Sequence, residues 1–297
     1  MNQSLIKILS CALLFMGLLP LSCKREYKIF GHTKRYWRES LSCESKERQR
    51  KAIIMLSSEG ARHISMLRSF LRKNGKAMVN PVSSILLRIG PESLPHLKEM
   101  IISKYGNEKE CAALTVVQMG DDGIQFIING IEDESYERRR ASLFALIYLR
   151  TPLNDQLKEL VIESLIDEDA GVRDTAILIL WVRDRFFSES FEIPKEYILF
   201  NLKSEYSSLR ASMASLLKYH RIDDVEIANI LKNHAFHDSN LIVRVQSAVA
   251  LLSNGYYRKD MINILYSLKN HENEDVDLLN VNSLIETALD EYEERPK

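Results

Sequence analysis

Four arginines, Arg139, Arg173, Arg210 and Arg244, recur at spacings of 34, 37 and 34 residues. Each begins or sits just inside a run of one pattern: RRASLFALIYL from Arg139, VRDTAILIL from Val172, RASMASLLKY from Arg210 and VRVQSAVALL from Val243. Earlier copies hold the register without the arginine. Gln49, Val79 and Lys109 are each followed eleven residues on by a glycine (Gly60, Gly90, Gly120), as Arg244 is by Gly255. A last partial copy starts near Asp277. Self-similarity at about this period rules out a pair of ordinary globular domains. One such unit is too thin to bury its own apolar face, so successive units must stack into a continuous core.

Within a unit the small and aliphatic residues fall at helical spacing, which predicts a first helix with one apolar face. The glycine at the eleventh place suits the helix C-terminus, where the chain turns through a left-handed conformation. Arg150, Asp184 and Arg221 stand where other units have that glycine, so those turns must be made differently, with Pro152 helping in one case. A second amphipathic segment follows, as in QLKELVIESLI (156–166), DVEIANILKN (224–233) and KDMINILYSL (259–268). Asp133, Asp167 and Asp238 then stand six residues before the next arginine, and Ser135, Asp169 and Asn240 stand four before it. Short polar side chains there suit helix caps and tight turns. A recurring Asp and Arg at this spacing can reach each other or neighbouring backbone along a stack, so these positions are expected to be structural, not catalytic.

The stretches DEDAGVRDTAILIL (Asp167 to Leu180), DSNLIVRVQSAVAL (Asp238 to Leu251) and LRIGPESLPHL (Leu87 to Leu97) resemble HEAT and HEAT-like repeats, including the short variety named for phycobilisome lyases. The resemblance implies an all-α fold, an α-solenoid of about seven to eight repeats of stacked antiparallel helix pairs spanning 45–297. It also implies a protein-interaction scaffold, since only a minority of the family has enzymatic activity. No residues beyond the repeat pattern assign a lyase role.

The first 22 residues carry a separate signal. MNQSLIKILSCALLFMGLLPLSC has Lys7 in a short polar start, an apolar run from Ile8 to Leu19, and small Ser22 before Cys23. This is the composition of a secretory signal peptide, and the run is short for a membrane-spanning helix. Leu19-Pro20-Leu21-Ser22-Cys23 resembles a relaxed bacterial lipobox, with Pro20 where a strict one has Leu. The resemblance implies that Cys23 is lipidated and becomes the mature N-terminus. That places the protein at the bacterial cell envelope as a lipid-anchored membrane protein, on the inner or the outer membrane. An ordinary cut near Ser22 and an uncleaved anchor remain the other two readings. Residues 23–44 then form a basic, aromatic segment outside the repeat. It serves either as a membrane-surface tether, with Tyr27, Phe30, Tyr36 and Trp37 at the interface, or as a cap over the first repeat. Ten Lys or Arg stand against four Glu between Lys24 and Lys51, a block that also attracts anionic headgroups.

Little in the chain points to chemistry. There is no phosphate loop, nucleophile elbow or His-Glu-x-x-His motif. DEDAG fails as a calcium loop because its Gly is fifth and Leu178 occupies the place of the bidentate Glu. His234 and His237 read as ordinary histidines at a helix end, and no metal or cofactor is expected. Cys43 and Cys111 could pair in an oxidising compartment, although CAALTVV around Cys111 reads as the setting of a small buried thiol. A formal net charge of −1 argues against nucleic acid as a partner. WVRDRFFSESFEIPKEYILF (181–200) departs most from the repeat. Its Phe186, Phe187 and Phe191, flanked by Arg183 and Arg185, are candidates for partner contact, the alternative being that the rings fill space under a longer loop. The expectation is a membrane-anchored, non-enzymatic scaffold that holds an unknown protein or peptide in the solenoid groove. The alternative is an accessory lyase or a ligand- or chromophore-binding protein.

Overall fold

The computed structural model describes residues 28–269 and 278–293. The chain enters through a two-stranded antiparallel hairpin, β1 (Lys28–Ile29) and β2 (His32–Thr33), and a short helix α1 (Lys34–Ser42). Helix pairs follow: α2 (Lys46–Ser57) with α3 (Ile64–Asn74), α4 (Val79–Ile89) with α5 (Leu94–Met100), and α6 (Gly106–Val116) with α7 (Asp121–Ile131). Next come α8 (Tyr136–Ala145) with α9 (Asp155–Glu163), and α10 (Ala170–Phe187) with α11 (Lys195–Leu202). Then follow α12 (Ser207–Leu217) with α13 (Val225–His237), α14 (Leu241–Ser253) with α15 (Arg258–Lys269), and the single helix α16 (Leu278–Glu293).

The even-numbered helices form one layer. Each of α2 to α14 packs on the next even helix, ending on α16, while the odd helices α3 to α15 form the second layer against them. This is an all-α solenoid. The register explains the stack. The third and seventh residues after the Arg position are small or aliphatic and mostly fully buried: Ala52 and Leu56, Val82 and Leu86, Ala112 and Val116, Ala176 and Leu180, Met213 and Leu217. A small side chain at the third place lets neighbouring helices approach, and the larger one at the seventh fills the gap a turn further on.

The turns follow the glycine pattern with one difference. Gly60, Gly90, Gly120 and Gly255 all have positive φ (62, 75, 64 and 78°). However, ψ is −146° at Gly90 and −137° at Gly120, outside the left-handed helical region and in one open only to glycine. Where the glycine is missing, α10 runs on through Asp184 and ends on Ser188, which does take the left-handed helical conformation. The Asp positions make one turn repeatedly. The side chains of Asp133, Asp167 and Asp238 accept from the backbone N–H two residues on, and Ser204 does the same in the unit that lacks the Asp. Ser135, Asp169 and Asn240 then cap α8, α10 and α14.

The N-terminal segment packs as a cap. Trp37 is 1% exposed, its Nε1 donates to the Ile29 carbonyl at 3.1 Å, and Leu41 is fully buried against the first repeat. Arg48 of α2 donates to Ser40 Oγ and Gln49 to the Leu41 carbonyl. Buried Trp37 and half-buried Tyr36 are therefore taken up by the fold and unavailable to a bilayer; of the described aromatics in this segment, Phe30 is the exposed one.

Candidate functional site

Two of the repeated arginines, Arg139 and Arg210, tie their unit to the next. Arg139 donates from Nη1 to the carbonyls of Asp133 and Glu134 in its own turn. It also forms a two-bond pair with Asp167 of the next unit, at 2.7 and 2.8 Å. Arg210 repeats the arrangement with the Ser204 and Glu205 carbonyls and with Asp238 at 2.8 and 2.9 Å. These hydrogen bonds hold both guanidiniums still more firmly in the charged form. Burial alone would push the Asp238 carboxyl up, but Arg210 and the Asn240 N–H outweigh it and hold it below its usual range.

Arg173 differs from the other two. Its Nη1 reaches the Asp167 and Glu168 carbonyls, yet the next unit offers Ser204 where a carboxylate would stand. The guanidinium instead lies over the Phe200 ring, 5.2 Å from its centroid. Arg244 donates to the Ala235 carbonyl at 3.3 Å. In the unit that begins at Lys109, which lacks the arginine, a buried carboxylate does the joining. Glu108 of α6 is fully buried and receives Arg72 at 2.6 Å and Arg68 at 3.2 Å from α3. Burial pushes its pKa up, and the hydrogen bonds from Arg68, Ser103 and Arg72 more than reverse that.

The three candidate phenylalanines of the long unit do not come together. Phe191 is buried in the core and Phe187 lies beneath the Arg183 guanidinium at 4.0 Å, while Phe186 is 67% exposed. Arg183 does not flank an aromatic surface. It is wholly buried, with Nε donating to Glu189 at 2.8 Å and its other nitrogens to Glu189 and to the Leu149 and Thr151 carbonyls. Glu189 in turn accepts from the Leu153 N–H. This buried pair fastens the extended end of α10 to the preceding interhelix loop, so the insertion is mostly structural filling.

An exposed apolar surface lies instead along the Arg-bearing layer. A cavity of about 390 Å³ opens between α6, α8 and α10, walled by Ile102, Ala113, Phe144 and Leu178 and edged by Lys109 and Arg140. Phe144 and Leu178 occupy the same place in successive units, five residues after Arg139 and Arg173, and both keep about two-fifths of their surface exposed. A second hollow of about 300 Å³ shares Asp174 and Leu178 with the first and continues along Trp181 to Ile242 and Gln246. The acids of the groove are engaged by their own chain. Glu137 accepts from Ser135 Oγ and holds the Tyr136 hydroxyl, and Asp174 accepts from Ser212 Oγ. Neither Lys109 nor Arg140 has an ion-pair partner within 4 Å among the described residues. Sequence reasoning passed over this groove because one exposed apolar residue per unit is not conspicuous. The signal it left was the repetition of a bulky apolar side chain at one solvent-facing register.

No described residues cluster as three or more His, Cys, Asp or Glu able to hold a metal. His234 is half-buried with its pKa lowered by that burial. Cys43 and Cys111 are both free thiols, and burial pushes Cys111 up to about 12. The proposed leader and Cys23 lie outside the described residues, and among those described no helix is long and apolar enough to cross a membrane.

No family model matches this chain, and no curated protein does. Among solved structures, the crystal structure of a Kap121p mutant superposes with a TM-score of 0.51 at 12% sequence identity, over 86% of this chain. The match covers 33% of that chain, so this protein spans about a third of its length. Human deoxyhypusine hydroxylase, in complex with glycerol, aligns over 88% of this chain and 96% of its own at 15% identity, but with a TM-score of 0.33 it carries no argument. The chain folds as a HEAT-like helical repeat.

Proposed function

We propose that this protein is a non-enzymatic scaffold of the bacterial cell envelope, anchored by lipid on Cys23, that grips a segment of another protein in the groove of its Arg-bearing helices. One observation carries the groove assignment. Phe144 and Leu178 present apolar surface on adjacent units beside two cations, Lys109 and Arg140, that make no ion pair within 4 Å among the described residues, whereas the carboxylates of the same lining, Glu137 and Asp174, accept hydrogen bonds from serine hydroxyls. Such a surface suits a segment that places an apolar side chain next to an Asp or Glu. The cavity volume also falls in the range of small-ligand sites, roughly 300–1,000 Å³. It thus favours, as a second reading, a small apolar acid bound at the same place.

A photo-crosslinker placed at Phe144 in cells is expected to capture one defined protein, and the Lys109→Glu, Arg140→Glu pair to abolish that capture. A crosslinker at Val225, 65% exposed on the second layer, is expected to capture nothing comparable. Identical adducts from both positions, or none from Phe144, would overturn the groove assignment, while displacement by a soluble apolar acid would favour the small-ligand reading. Cys23→Ala is expected to move the protein from the membrane to the soluble fraction in high salt, which screens electrostatic surface binding; unchanged partitioning there refutes the anchor.

A further inference from the structure

The charge of this chain is strongly polarised along the solenoid. Between residues 28 and 76, thirteen Lys and Arg meet four Glu, whereas from residue 77 onward 24 Lys and Arg meet 36 Asp and Glu. The cationic excess therefore belongs to the cap and the first repeat. Helix α1 packs both on α2 and on the Gly75–Met78 turn, which gathers cations from three segments at one end of the stack. Those of this end that carry an ion pair do so with Glu39, Glu47, Glu59, Glu99 or Glu108. Lys28, Lys34, Lys46, Arg50 and Lys76 are exposed with no ion-pair partner within 4 Å among the described residues.

The hairpin at this end carries Phe30. It sits in the hairpin turn with φ 51°, a conformation that costs a non-glycine residue free energy, and its ring is 43% exposed beside Lys28 and His32. The ring rests edge-on against buried Trp37 at 6.2 Å, so it is braced by the cap rather than free to fold under it. An exposed aromatic at a turn, at the end of the stack that also carries the unpaired cations, has the composition of a contact with the headgroup region of an anionic bilayer. Lys28 stands five residues after Cys23, and five residues span at most about 18 Å.

We propose that the capped, N-terminal end of the solenoid docks on an anionic bilayer, with Phe30 at the headgroup level and the surrounding lysines and arginines over it. The acidic remainder of the chain is then held away from the membrane, and the groove opens to one side. The proposal draws on the lipid anchor only for the short reach from Cys23; the docking chemistry stands on the described residues.

The test measures lysine acylation rates by mass spectrometry on the full chain. It is mixed with vesicles of phosphatidylcholine alone, or with vesicles in which about a third is phosphatidylglycerol. Labelling of Lys34 and Lys46 is expected to fall severalfold on the anionic vesicles and not on the neutral ones, while Lys259, exposed on α15, keeps its rate on both. Each basic residue near such a surface changes partitioning about fivefold, so Lys34→Glu with Arg50→Glu is expected to remove most of the protection. Because the vesicle comparison uses the unaltered chain, it does not depend on the folding of that variant. Equal rates on the two vesicle types would overturn the proposal. Equal protection by duplex DNA at matched charge would do so too, since the surface would then be a general polyanion binder. Co-sedimentation with the neutral vesicles reports the anchor separately, so either reading can fail while the other stands.

Discussion

Replacing Arg139 by Ala tests the linkage between units. The side chains of Arg139 and Asp167 are 11% and 12% exposed, and they share two short charge-assisted bonds in addition to the two bonds that Arg139 makes to carbonyls of its own turn. A charged hydrogen bond contributes about 1.5–3 kcal/mol net, and removing one member of a buried pair costs about 3–5 kcal/mol because the other is left without compensation. The slight exposure of both groups puts the expected loss near the bottom of that range, about 3 kcal/mol. Arg173→Ala should cost less, about 1–2 kcal/mol, because no carboxylate is stranded: it loses two carbonyl contacts and the Phe200 ring. Urea unfolding followed by circular dichroism measures both, and a cycle with Asp167→Asn isolates the pair. Coupling of about 1–3 kcal/mol between Arg139 and Asp167 is expected. Additivity within about 0.5 kcal/mol, or an Arg173 variant as damaged as the Arg139 one, would refute the account of these arginines as inter-unit ties.

Stability should also fall in acid, with Asp238 and Glu108 both contributing and Glu108 the more deeply buried of the two. The folded-state pKa of Glu108 is lowered, so the unfolded chain binds its proton first. The stabilisation is fully present above the unfolded carboxylate pKa, about 4.3, and is lost as pH falls through the folded value. Thermal melts between pH 6 and 3 should show this loss, and Glu108→Gln should be less stable at pH 6 yet show a flatter decline. With Cys111 buried and its pKa pushed up to about 12, native-state alkylation is expected to label half-exposed Cys43 well before Cys111. Peptide mapping checks this, and equal labelling rates without unfolding would contradict the buried-thiol assignment.

Much of this architecture was legible without coordinates because a solenoid has few long-range choices. When each unit contacts chiefly its neighbours, the period, the apolar face, the glycine turns and the Asp and Ser caps are local properties, and each can be read within about 35 residues. Arg139 with Asp167, and Arg210 with Asp238, follow from the same register, each acid standing 28 residues after its arginine. Tertiary structure decided what happens where the pattern breaks. Ser204 left Arg173 to find a ring in place of a carboxylate. Seven residues of loop between α10 and α11 folded back so that Phe191 and Arg183 went inside while Phe186 stayed out. The cap took Trp37 and left Phe30. Whether an aromatic or an arginine in an irregular segment is buried depends on which distant surface the segment happens to cover, and no period along the chain encodes that surface.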